Sequence, residues 1–324
     1  MLSLCPKMLR NAFVVATVML QHAITSPIHP RAIDDSTFAN LQLFEQFAAA
    51  AYCPSNADNS AGGQKLTCPA DNRQTTTNCP LVEADTTTTL YEFQNSLLTD
   101  VTGYLASDSS RSLTILAFRG SESVRNFLAD ADFPTTPTPD LCATCAIDAG
   151  FYTSWVEARG GILAALASAT AANPSFRLVI TGHSLGGAIA AIAAAEVRKA
   201  GQIADLYTYG QPRIGGADVS DFITNQSPSL GSNFRVTHYD DPVPRLPPLA
   251  LGFRHLSPEY YISSKNEVVV TEGDVKGPLT GNVNLMGNTG NFAGGVADLD
   301  AHGWYFNNVS ACNPSGGFEF KGRV

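Results

Sequence analysis

The run Phe176-Arg-Leu-Val-Ile-Thr181, then Gly182-His183-Ser184-Leu185-Gly186, then an alanine-rich stretch over residues 188–199 decides how the rest of the chain is read. The first six residues have the length and the Leu, Val and Ile content of a short buried strand. The alanine-rich stretch is a strong helix former, and Gly201 stands where a helix end favours glycine. Between them the pentapeptide fits G-x-S-x-G, a sharp strand-to-helix turn with a serine at its apex. Glycines are needed on both sides, because side chains there would collide with the neighbouring strand and helix. The pentapeptide alone is a weak signal; its setting gives it weight. The alternative is a plain glycine-rich turn with a surface serine.

Outward from this turn, strands alternate with helices. Leu41, Phe44, Phe47 and Ala48 recur at helical spacing, which predicts a helix ending near Tyr52. Further helices are expected over 151–172 and 216–226. Strands are expected over 101–107, 112–118, 206–209, 234–239 and 267–271. Residues 53–82 and 134–149 read as loops. This alternation predicts an α/β fold, with a mostly parallel central sheet and helices on both faces.

Composition narrows the function. Lys7 and Arg10 precede the apolar run 12–20, which is too short to span a bilayer, and the small residues Ala23, Thr25 and Ser26 follow. That layout predicts a secretory signal peptide over residues 1–25, a pro-segment over 26–31 and one domain over 32–324. Losing Lys7, Arg10 and Arg31 from 20 basic groups leaves 17 against 29 acids, a formal −12. Such a charge repels polyanions, so nucleic acid is excluded as a partner. No apolar run reaches membrane-spanning length, so no transmembrane anchor is expected. Six cysteines follow the signal: Cys53, Cys68, Cys79, Cys142, Cys145 and Cys312. In an exported chain an even number implies disulfides, with 15 pairings open. Cys142 and Cys145 lack a second ligand pair at zinc spacing, so no metal is expected. Asn225 and Asn308 head glycosylation sequons.

A serine hydroxyl needs a base and an orienting acid to become a nucleophile. In this turn's usual setting they follow in the order acid, then histidine. His238, His255 and His302 follow Ser184. His238 sits in a strand and precedes the best acids, and His255 lies just before a strand. His302, after a Gly/Asn-rich loop, is the favoured base, against the alternative of a solvated surface histidine. Asp240 and Asp241 end a strand, where open α/β sheets place their sites. One of them would orient His302; the other would be solvated or cap the turn. The oxyanion formed in acyl transfer needs two donors. The Leu185 N–H is one, and Ser121, in the loop after Phe118, is the other. Past Ser121, the residues Val124, Phe127, Leu128 and Ala131 fall at i, i+3, i+4 and i+7, one apolar helix face. Such a helix either packs on the core permanently or serves as a lid that opens on an oil surface.

At this point the chain resembles the secreted class 3 triacylglycerol lipases of filamentous fungi, which have the α/β-hydrolase fold. The matching blocks are Ala50-Ala-Tyr-Cys53, Phe118-Arg-Gly-Ser121, Gly150-Phe151 with Ser154-Trp155, Thr181 to Ala188, Tyr209-Gly-Gln-Pro-Arg213, Val243-Pro-Arg-Leu-Pro-Pro248, Ser257-Pro-Glu-Tyr260 and His302-Gly-Trp-Tyr-Phe306. The resemblance implies Ser184 as nucleophile, His302 as base and Asp241, not Asp240, as acid. It implies oxyanion donors at Ser121 and Leu185, a short helical lid over 123–130, and the pairs Cys53–Cys312, Cys68–Cys79 and Cys142–Cys145. It implies no cofactor and no metal. Phe127 stands where the best-known lids carry tryptophan, which removes an indole but keeps apolar area. The expected reaction is triacylglycerol hydrolysis at a lipid–water interface. A feruloyl-type esterase on the same scaffold, or a binding relative without activity, are the alternatives; the apolar stripe argues against the first and the complete set of site residues against the second.

Overall fold

The computed structural model describes residues 33–69, 77–94, 99–121, 133–291 and 298–313. The signal and pro-segment, and the lid residues Val124, Phe127, Leu128 and Ala131, lie outside the described residues.

Helix α1 (Asp35–Ala50) begins where the Asp34 carboxylate accepts the Thr37 N–H at 2.8 Å, a standard cap. After a one-turn α2 (Pro80–Glu83), strands β1 (Thr87–Phe93), β2 (Gly103–Asp108) and β3 (Leu113–Phe118) form an antiparallel meander. A small pair, β4 (Thr135–Pro137) and β5 (Ala146–Asp148), leads into α3 (Ala149–Ala172). Then come β6 (Arg177–His183), α4 (Leu185–Lys199), β7 (Ala204–Tyr209), α5 (Ala217–Gln226), β8 (Asn233–His238), β9 (Glu259–Ile262) and β10 (Val275–Leu279). A five-residue α6 (Leu299–Gly303) and the short pair β11 (Trp304–Tyr305) and β12 (Asn307–Asn308) follow.

One eight-stranded sheet runs β1-β2-β3-β6-β7-β8-β9-β10. Its centre, β3 to β9 in that order, is parallel, and the strands outside it pair antiparallel. Strand period two sorts the core. Leu116, Phe118, Leu178 and Ile180 face α3 and α4, meeting Phe151, Trp155, Ile189 and Ile192. Ile115, Ala117, Val179 and Tyr207 face α1, meeting Leu41, Phe44 and Phe47. Helices therefore cover both faces, and the sheet is buried as a parallel sheet must be.

Three strands of the large sheet, β1, β9 and β10, have no counterpart in the sequence reading, and the short pair β4 and β5 falls in the stretch 134–149 read as a loop. The strand expected over 267–271 does not form. Glu267 takes φ 61° and turns the chain, and Val269 is 80% exposed. Three valines supply strand propensity there but no partner; the edge position goes to β10.

Disulfides join Cys53 to Cys312, Cys68 to Cys79 and Cys142 to Cys145. The sulfurs of Cys53, Cys68 and Cys312 lie within 4.8 Å of one another, and all three are committed to these bonds. Among the described residues no helix is long and apolar enough to cross a membrane.

The register brings the strand ends together. Phe118 lies opposite Gly182, His183 opposite Tyr209, and His238 opposite Ile262. The carboxyl ends of the parallel strands thus converge on the Ser184 corner, which is where open α/β sheets place ligands.

Candidate active site

The chain reverses from β6 into α4 at one residue. Ser184 holds φ 57° and ψ −127°, a region disfavoured for any side chain. The reversal is tight enough that a Cβ on Gly182 would sit 2.4 Å from the Gly186 carbonyl oxygen. One on Gly186 would sit 2.3 Å from the Phe118 oxygen. The Ser184 N–H donates to the Tyr209 carbonyl at 2.9 Å, tying the corner to the end of β7. Leu185 is the first residue of α4, so its N–H has no carbonyl acceptor within the helix. The loop leaving β3 packs against the same corner: a Cβ on Gly120 would lie 3.0 Å from the Ser184 Cβ. Ser121 is the next residue.

His302 arrives on α6, whose start is capped by Asp298 accepting the Asp300 and Ala301 N–H groups at 3.0 and 3.3 Å. Its Nδ1 lies 2.9 and 3.0 Å from the two carboxylate oxygens of Asp241. A carboxylate only accepts, so Nδ1 carries the proton and Nε2 is the basic nitrogen. Asp241 follows β8 by a turn in which its N–H donates to the His238 carbonyl at 3.0 Å. Two further donors reach its carboxylate: the Val243 N–H at 2.8 Å on Oδ1 and the Tyr305 hydroxyl at 2.5 Å on Oδ2. Both Asp241 and His302 are fully buried, and three donors compensate the charge for the water it has lost. Burial, with Asp241 beside it, holds the Tyr305 hydroxyl well above the usual phenol range, so Tyr305 donates. Asp240 turns the other way and pairs with Arg245 at 2.7 Å.

His302 also meets the Ser184 corner. Its ring lies 4.5 Å, centroid to centroid, from that of His183. It packs on Gly210 as well, where a Cβ would come within 2.9 Å of His302 Cε1. The Ser184 N–H bond to Tyr209 and the His302 ring therefore share the Tyr209–Gly210 turn. His183 Nε2 donates to the His302 carbonyl at 2.8 Å, and the Tyr52 hydroxyl donates to His183 Nδ1 at 2.7 Å. Burial, with His302 close by, holds His183 well below the ordinary imidazole range, so it stays neutral, with one donor and one acceptor nitrogen.

The structure thus brings together Ser184, Leu185, Ser121, His302 and Asp241. The remaining late histidines face backbone carbonyls: His255 Nε2 lies 2.7 Å from Pro244 O, and His238 reaches Ala301 O and Ser264 O. Sequence reasoning missed Tyr305, Val243, His183 and Tyr52 as supporting residues. Tyr305 carried one signal, its place three residues after His302. The others depend on contacts between distant parts of the chain.

Comparison with known proteins follows the same lines. Residues 115–251 match the family model described as lipase (class 3). The chain is 42% identical over 298 residues to secreted mono- and diacylglycerol lipase A of Penicillium cyclopium, covering 91% of this chain and 93% of that protein. It is 40% identical over 279 residues to secreted mono- and diacylglycerol lipase 1 of Fusarium solani, covering 85% and 78%. The crystal structure of mono- and diacylglycerol lipase from Aspergillus oryzae superposes with a TM-score of 0.76 at 42% identity, over 84% of this chain and 97% of that one. The chain therefore belongs to the class 3 family of secreted fungal lipases and is a secreted carboxylic ester hydrolase with the α/β-hydrolase fold.

Proposed function

We propose that Ser184 is the nucleophile, His302 its base and Asp241 the orienting acid, and that the substrates are acylglycerols, partial glycerides foremost. The observation that carries the mechanism is the fully buried His302–Asp241 pair at 2.9 Å, with the His302 ring against the residue beside Ser184. In the forward step Ser184 Oγ attacks the ester carbonyl carbon while His302 Nε2 takes its proton. The carbonyl oxygen becomes an oxyanion, stabilised by the Leu185 N–H and by Ser121. Collapse expels the glycerol oxygen, which takes the proton from His302, and leaves an acyl-serine. Water, deprotonated by the same nitrogen, then attacks the acyl carbon; the bond to Ser184 Oγ breaks, that oxygen takes the proton back from His302, and the fatty acid leaves.

Ser184 is only 3% exposed, so a long-chain ester reaches it only after a cover moves. The apolar stripe Val124, Phe127, Leu128 and Ala131 is the segment assigned to that cover, on its sequence. An exposed apolar pair, Leu285 (68%) and Met286 (62%), supports contact with a lipid–water interface. Its loop is fastened beside the site, where the Asn288 amide donates to the Asp241 carbonyl at 2.9 Å.

The preference for partial glycerides rests on the three relatives described above, all named mono- and diacylglycerol lipases. Initial rates on emulsified monoolein, diolein and triolein, with soluble methyl ferulate alongside, test it. Diolein and monoolein should be cleaved faster than triolein, and methyl ferulate hardly at all. Faster triolein cleavage would restore the triacylglycerol reading; faster ferulate cleavage would overturn the lipid reading altogether.

A further inference from the structure

Besides the Asp298 cap, three side chains grip the two-residue segment Ala301-His302. Asp241 holds the His302 ring, and His183 donates to the His302 carbonyl. The third grip comes from His238, the last residue of β8, three positions before Asp241. His238 Nδ1 lies 2.9 Å from the Ala301 carbonyl oxygen, and its Nε2 lies 3.0 Å from that of Ser264. The ring is fully buried, with the Tyr305 ring at 5.7 Å and the Tyr239 ring at 6.3 Å.

This arrangement is not an incidental packing contact. A carbonyl oxygen only accepts and a neutral imidazole carries one N–H, so the ring donates to one of the two carbonyls at a time; with the proton on Nδ1, at the shorter contact, the bond goes to Ala301. No apolar ring of the same shape could do this. Helix α6 has five residues, too few to set its own place by internal hydrogen bonds. Its position depends on outside anchors: Asp298, itself tied to Asn266 at 2.8 Å, the Gly303 carbonyl bonded to the Val309 N–H at 3.0 Å, His183 on the His302 carbonyl, and His238 on the Ala301 carbonyl. Of these, His238 alone links the backbone of α6 to β8, the strand whose following turn carries Asp241.

We propose that His238 is a positioning residue, which locks the helix carrying His302 to the strand end carrying Asp241 and so fixes the separation of base and acid. This rests on the triad assigned above. His238 touches neither substrate nor reacting atoms; it acts through Ala301.

The test uses the full-length secreted enzyme and a soluble ester, p-nitrophenyl butyrate, so that lipid binding does not enter. His238→Phe keeps a ring of similar shape and removes the N–H donor. His238→Gln keeps one donor at similar reach, and His238→Asn keeps one that is too short. In His238→Phe, kcat should fall by about ten- to a hundredfold, the cost of displacing a reacting group by about an ångström, with KM nearly unchanged. His238→Gln should recover most of that loss and His238→Asn little of it. The rate of fluorophosphonate labelling at Ser184 should follow kcat. A folded His238→Phe enzyme with wild-type kcat, or one in which KM rises and kcat holds, would overturn the proposal. Should the Phe variant fail to fold, equal kcat in the Gln and Asn variants would overturn it, and a lower value for Asn would support it. A Ser184→Ala enzyme that still turned over would instead refute the triad, a separate result.

Discussion

The Tyr305 hydroxyl meets the Asp241 carboxylate at 2.5 Å on Oδ2, the oxygen that lies 2.9 Å from His302 Nδ1. One oxygen thus serves two donors, and the tyrosine sits three residues after the histidine on the same short segment. Removing the hydroxyl leaves a buried charge with fewer donors. Tyr305→Phe should lose roughly 1.5–3 kcal/mol of stability, the range for a hydrogen bond to a charged group. It should also lower kcat on a soluble ester, because the carboxylate is freed to turn from His302. Urea unfolding and steady-state rates measure both; no change in either would show that Tyr305 is redundant.

Stability should depend on pH in a way set by buried groups. Burial, as the largest cause, lowers the pKa of His183, His238 and His255 below the ordinary 6.5. Below pH 6.5 the unfolded chain therefore binds protons that the folded chain refuses, and stability falls as pH falls. Each group adds a slope of up to about 1.4 kcal/mol per pH unit. Glu45 acts in the opposite sense. It is fully buried, its carboxyl oxygens have no hydrogen-bond partner among the described residues, and burial raises its pKa well above 4.5. Its contribution is complete below pH 4.5 and is lost as pH rises toward its folded value. Glu45→Gln should match the wild type near pH 4.5 and exceed it increasingly at higher pH. Urea midpoints from pH 4.5 to 9 check this, and a Gln variant less stable at pH 8 would refute it.

The bond between Cys53 and Cys312 closes a loop of sequence separation 259. Cys53 follows Tyr52, which donates to His183, and Cys312 lies ten residues beyond His302. The bond therefore ties the segment carrying the base to the end of α1. Replacing both cysteines with serine should cost about 2–5 kcal/mol, the usual loss for a native disulfide in a secreted domain. The loss is read from the thermal midpoint, and activity at 25 °C should survive in the fraction that remains folded. A midpoint equal to the wild type would show that the bond constrains nothing.

The fold was legible where chain geometry leaves little choice. Gly182 and Gly186 could be read as necessary because any side chain there meets backbone within 2.4 Å, and the apolar strand and alanine helix around them have unambiguous periods. β1, β9 and β10 were not legible. The first is threonine-rich with an irregular register, and the second has only four residues. Val268, Val269 and Val270 misled because propensity without a pairing partner makes no strand. In the site, His302 and the aspartate pair could be reached from chain order, but choosing Asp241 over Asp240 needed a family pattern. The disulfide pairs needed one too, since spacing alone leaves 15 pairings. The contacts of Tyr52 and His302 with His183 span 131 and 119 residues, so no local pattern announces them.

The central claim is that one strained serine at the β6–α4 corner does the chemistry. Treating the native enzyme with a fluorophosphonate and mapping the modified peptide by mass spectrometry tests it most directly. The adduct should sit on Ser184 alone, with hydrolysis lost in step with its formation. A stoichiometric adduct on any other residue, or full activity with Ser184 modified, would contradict it.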